Sequence, residues 1–288
     1  MNAAQRYRLL AVGLWVGAGF LVWLLAIQQP EVRWNAPLLL LVFGLALFAE
    51  ANPVQYEREG ILLSFGTPFL VGALIGAGPL AAVGTEALVL ILASAFRSVR
   101  GKEKRVWYWA LINLPISMLA SVVGSFAYLG VTRVMDQPWS WVPASIAFIG
   151  LYLLTNGLLA LQVHASLTSR RFTGQLDQFF RSVGVGMVAY TSIALGVGAL
   201  VIEGQVALLP IFLLPIWVLR TLAIRTKQLD DATYETVLAL TIMLQRAHPY
   251  TFGHIERVAG IAEEVGLRLG MNRSHARRLR EAAVLHDI

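Results

Sequence analysis

Cysteine is absent from this chain, and charge is scarce. Without thiols there are no disulfides and no thiolate metal sites, so any bound metal must be held by imidazole or carboxylate. Charged residues are 14% of the 288, against about 25% in an ordinary soluble domain. Hydrophobic residues make up 57%, and mean hydropathy is +0.65. Such a chain cannot hide its apolar surface in one soluble core, which points to a polytopic membrane protein. The net charge of +6 invites a nucleic-acid role, but the placement of the basic residues gives another account of it.

Apolar runs recur to about residue 222. They predict helices at 9–27, 36–50, 61–77, 79–96, 107–131, 142–163, 182–202 and 205–222. The expected fold class is all-α. A membrane bundle of about eight spans fills 1–222, a connector helix 223–247, and the first helices of a further domain 248–288. The second run is short for a hydrocarbon core of about 30 Å. Gly76-Ala77-Gly78-Pro79 reads as a tight turn between the third and fourth. The first run follows Arg6 and Arg8 without a clear cleavage site, so it reads as a retained anchor.

With the N-terminus in the cytoplasm, inside segments hold 14 of the 23 basic residues and outside segments hold 2, Arg33 and Arg133. That bias predicts a multi-pass protein of the cytoplasmic membrane with both ends inside. The basicity is then topological, and no nucleic-acid polymer is needed to explain it.

Glu86 lies mid-run in Gly84-Thr85-Glu86-Ala87-Leu88. An ionisable group at membrane depth is costly and marks a candidate functional site. The alternative is a neutral or hydrogen-bonded carboxyl within the bundle. Asn113 and Asn156 read as interhelical hydrogen-bond partners, and Trp107, Trp109, Trp139 and Trp141 as interfacial anchors. No series of carboxylates crosses the spans, so a sensory or anchoring bundle fits at least as well as a transporter.

Beyond the last span the chain turns polar at Arg225-Thr226-Lys227-Gln228-Leu229-Asp230-Asp231. Leu222, Leu229, Thr236 and Met243 fall at one heptad position, and Thr226, Thr233 and Leu240 at the other. The stripe fits either a dimeric signalling helix or a plain amphipathic linker. Asp230-Asp231 reads as a solvated face.

The decisive stretch follows. Pro249 and Gly253 break the helix. A new one carries Ile255, Val258, Ile261, Ala262, Val265 and Leu269 on one face and stops at Gly270. In the last helix Leu279, Ala283 and His286 share a face. If these two helices pack antiparallel, His254 can approach His286 and Asp287. Imidazole and carboxylate suit Fe, Mn, Zn or similar divalent ions, and two such ions activate water against a phosphodiester.

Pro249-Tyr250-Thr251, Gly253-His254, Arg257-Val258-Ala259, Leu269-Gly270 and Ala282-Ala283 through Leu285-His286-Asp287-Ile288 stand in order. His254 and His286 are 32 residues apart. Together these resemble the opening of an HD-superfamily phosphohydrolase, most of all its HD-GYP branch. The resemblance implies a membrane-bound signalling phosphodiesterase that hydrolyses cyclic di-GMP at a two-metal site. It implies His254, His286 and Asp287 as metal ligands, with Asp287 as the bridge.

There are departures. His248 replaces an acidic residue, and Ile255 a small polar one. The Gly-Lys that should follow the His-Asp pair, the later histidines, the Gly-Tyr-Pro loop and the distal Asp are absent from the 288 residues. The chain is therefore expected to be the N-terminal part of a longer enzyme, inactive alone. The alternatives are a membrane-tethered HD phosphohydrolase acting on another nucleotide, and a non-catalytic sensor or scaffold. His248 and His275 read as surface histidines, and His164 as an interfacial one. The last helix, with Arg273, Arg277, Arg278 and Arg280, reads as a solvated basic face rather than a nucleic-acid binder.

Overall fold

The computed structural model describes residues 3–29, 35–52, 54–55, 62–63, 66–99, 106–135, 137–168, 173–246, 253–271 and 273–285. Ten α-helices account for most of them: α1 Ala3–Gln28, α2 Ala36–Ala51, α3 Thr67–Ala77, α4 Pro79–Val99, α5 Val106–Val134, α6 Trp141–Thr168, α7 Thr173–Ile202, α8 Leu213–Arg246, α9 His254–Arg268 and α10 Arg273–Leu285. A 3₁₀ turn, Val206–Phe212, leads into α8. The one departure from all-α among the described residues is a two-residue antiparallel ladder, β1 Val54–Gln55 against β2 Leu62–Leu63.

Five segments are long and apolar enough to cross a membrane: Gln5–Gln28, Pro79–Val99, Ala110–Val134, Trp141–Val163 and Val206–Leu240. Three shorter apolar helices, Ala36–Ala51, Thr67–Ala77 and Met187–Ile202, join them. The sequence predicts a third helix from residue 61, but α3 starts at Thr67 and Leu62–Leu63 are paired as strand. A short run of leucines does not separate strand from helix by periodicity. With 11 residues, α3 rises about 16 Å, too little for a core of about 30 Å. It is also closely enclosed, with Phe69, Leu70, Val71, Ala73 and Leu74 all buried. A half-length helix is stable at membrane depth when other protein surrounds it.

Arg97 near the end of α4 lies 3.7 Å from the Glu50 carboxylate near the end of α2, and donates to the Glu50 carbonyl. Arg220 of α8 donates from Nε to the Asn52 carbonyl at 3.1 Å. The ends of α2 and α4 therefore lie together, so these two run parallel, and the two arginines gather at that end of the bundle. α3 runs antiparallel to α2, with Gly76 against Leu38 and Gly72 against Val42.

α5 and α6 pack antiparallel at small residues. Asn156 of α6 donates to Ser117 of α5 at 3.0 Å. At Gly124 an added Cβ would sit 2.9 Å from the Phe148 carbonyl oxygen. Pro115 lies inside α5 and cannot donate to the carbonyl of Leu111, four residues back. The Trp15 indole of α1 donates to that oxygen at 3.0 Å. A side chain from a neighbouring helix thus replaces the bond that proline removes.

The connector is not a separate element. α8 runs unbroken for 34 residues, from the bundle through the polar turn at 225–231 to Arg246.

Candidate functional site

α9 opens at Gly253, whose φ of 80 lies in the left-handed region that glycine adopts without strain. It ends in a Schellman motif. Gly270 has φ 87, its N–H donates to Leu267 O, and Met271 N donates to Gly266 O. The chain then turns into α10. Arg280 meets Glu263 at 2.8 Å. Ala259 and Val284 form a small buried cluster with Ala283 and with Val237 of α8. A Cβ at Gly266 would meet Leu279 and Ala276. In each pair the two numbers sum to about the same value, so the helices are antiparallel and in steady register.

That register sets the first residues of α9 beside the last of α10. His254 is the first residue of α9 and is exposed. It stands five residues before Ala259, which packs with Val284, and α10 ends one residue later at Leu285. His286 and Asp287 lie outside the described residues, as does His248. The donor chemistry fits a divalent ion, since His254 nitrogen, His286 nitrogen and Asp287 oxygen form a sulfur-free set. Among the described residues no group of three or more such ligands is gathered. His254 is the one ligand candidate of this set that the structure describes.

The apolar face expected on α9 is only partly covered. Ala259 is buried, but Ile261 is 62% exposed, Val265 46% and Leu269 71%. α10 packs on the neighbouring strip through Ala259 and Gly266 and leaves the larger side chains open. Asp231 is not simply a solvated carboxylate. It lies 3.8 Å from Arg277 of α10, and Val237 packs nearly two turns further along α8. The basic face of α10 is likewise engaged, with Arg277 also bonded to Glu281 at 3.1 Å. His275 is exposed. The seven heptad residues of the connector, Leu222, Thr226, Leu229, Thr233, Thr236, Leu240 and Met243, are all exposed. Thr233 and Thr236 each donate to the carbonyl four residues back, at 2.8 Å. Their hydroxyls are spent within the helix.

Glu86 is buried inside the bundle, and the Tyr152 hydroxyl of α6 donates to its Oε1 at 2.6 Å. The Thr67 hydroxyl, at the start of α3, and the Ser117 hydroxyl of α5 also interact with Tyr152. Asn156 extends the chain of contacts through Ser117, which is the interhelical role its sequence position predicts. Sequence reasoning missed Tyr152, Thr67 and Ser117. The available signal was the four-residue spacing of Ser117, Ser121 and Ser125, which puts three hydroxyls on one face of a span.

Comparison with known protein families, with curated proteins and with solved structures finds no match.

Proposed function

We propose that the chain belongs to a membrane-bound signalling phosphodiesterase of the HD type, acting on cyclic di-GMP, with both ends of its membrane bundle in the cytoplasm. The observation that carries this is the antiparallel α9–α10 hairpin. Its register sets His254 at the same end as the residue that precedes His286-Asp287 in sequence. His254 at one helix end, with His286 and Asp287 next in sequence after the other, supplies the donor types with which a metal site begins. Divalent ions held there would supply the activated water for phosphodiester cleavage. The protein's own part is orientation. The hairpin holds His254 at the start of α9, and α8 ties the hairpin to the bundle through Asp231 and Val237. The open face at Ile261, Val265 and Leu269 supports further protein packing on α9, because contiguous apolar surface in water needs a cover.

The test uses the product of the complete gene, purified with its metal content measured. It should hydrolyse cyclic di-GMP, and alanine at His254, His286 or Asp287 should lower both bound metal and turnover at least about 100-fold. Hydrolysis that persists in His286→Ala and Asp287→Ala would sink the assignment. Turnover of other nucleotides but not cyclic di-GMP would keep the HD chemistry and replace the substrate.

The exposed heptad stripe of α8 favours a second copy of the chain as the connector's partner. The chain has no cysteine, so a single Leu229→Cys should form a disulfide-linked dimer in membranes. Failure to cross-link there, and at Met243→Cys, would leave the plain linker.

A further inference from the structure

We propose that Glu86, with the hydroxyls of Tyr152, Thr67 and Ser117, is a binding site for one monovalent cation, Na⁺ or H⁺, inside the membrane bundle. This rests on the membrane reading alone and is independent of the phosphodiesterase.

Four helices meet at this cluster: α4 carries the carboxyl, α6 brings the Tyr152 hydroxyl that bonds it, and α3 and α5 bring Thr67 and Ser117 to that hydroxyl. Every group in this set is an oxygen, the donor type that hard cations take. A bare carboxylate away from water is costly unless a positive charge meets it. The neighbouring elements offer none at that depth. α3 has no charged residue, Glu50 lies near the end of α2, Arg133 near the end of α5, and Arg6 and Arg8 near the start of α1. The remaining titratable side chains described on α1, α5 and α6 are the tyrosines Tyr7, Tyr128 and Tyr152. Arg97 is already held by Glu50 at the bundle end. A cation from solution is the compensation left.

A second observation points the same way. Ser121 lies one turn along α5 from Ser117 and is fully buried, and its hydroxyl has no hydrogen-bond partner. The α5–α6 register, set by Ser117 with Asn156 and Gly124 with Phe148, puts Ser121 level with Tyr152. Buried hydroxyls are ordinarily paired. An unpaired one beside this cluster is a ligand position in reserve.

The experiment is thermal unfolding of the full chain in detergent, with NaCl replaced stepwise by choline chloride at constant ionic strength, repeated from pH 6 to 9. A ligand that binds only the folded state raises Tm with its concentration. Saturating Na⁺ should raise Tm by about 5 °C, or, for a proton site, Tm should rise as pH falls and ignore Na⁺. Glu86→Gln, a neutral isostere, should abolish whichever response the wild type shows. Tyr152→Phe keeps the carboxyl and should weaken the response, which carries the test if Glu86→Gln does not fold. A wild type indifferent to both Na⁺ and pH, or a full response in a folded Glu86→Gln protein, would overturn the proposal.

Discussion

The bundle and the α9–α10 hairpin are built with opposite patterns. In the bundle Leu9, Val12, Val16, Phe20, Trp23 and Ile27 of α1 face outward, while Glu86, Thr67, Ser117, Ser121, Ser125 and Ser145 are buried. In the hairpin Ala259, Ala276 and Val284 are buried while Ile261, Val265 and Leu269 stay open, and the charged pairs Arg280 with Glu263 and Arg277 with Glu281 are half-buried. The difference follows from the solvent. Against lipid, an outward leucine costs nothing, so helices associate through small residues and hydrogen bonds. Against water, burial of apolar area drives association. One chain thus obeys two packing rules, and α8 passes from one to the other without a break.

Two substitutions should separate these rules. The larger effect is expected from Val284→Asp, which buries an unpaired charge at a position 4% exposed. It should cost about 3 kcal/mol or more. Hydrogen exchange should then show α9 and α10 losing protection, with the bundle keeping its thermal midpoint in detergent. A bundle that melts together with the hairpin would mean that the two regions form one cooperative unit. The smaller effect is expected from Trp15→Phe. The ring remains, but the Leu111 carbonyl that Pro115 leaves unbonded loses its donor. Leaving such a group unmet in lipid should cost about 1 to 2 kcal/mol, read as a lower bundle midpoint with unchanged hairpin protection.

The bundle was legible in the sequence where a long apolar run decided the matter. The predicted spans 36–50, 79–96 and 142–163 lie within α2, α4 and α6 with small errors at the ends. It was not legible where one residue type serves two structures, as with Leu62–Leu63 at the start of the third run. The polar turn at 225–231 read as a boundary between span and connector. Nothing there breaks a helix, because the change is in side-chain chemistry and the backbone continues. On α9 the spacing of Ile261, Val265 and Leu269 gave the helix its face, but spacing does not say which neighbour covers that face. The site divides in the same way. Glu86 could be singled out because a lone charge in an apolar run is visible, while Tyr152 is 66 residues away and belongs to the site only because α4 and α6 both pack against α3 and α5. Asp231 was hidden for a related reason, since its partner Arg277 is reached only after two turns of the chain.

The unbroken α8 has a mechanical consequence. A helix of 34 residues is about 50 Å long, gripped near its start at Asn52 by Arg220 and resting on the hairpin further along, at Asp231 and Val237. Treated as a rigid rod pivoting at Arg220, a tilt of about 5° sweeps its far tip, about 39 Å away, through about 3 Å. That is about the length of a hydrogen bond in the hairpin. A pivot angle too small to alter the bundle's packing would therefore be magnified, at the other end of the rod, into a displacement on the scale of a side chain.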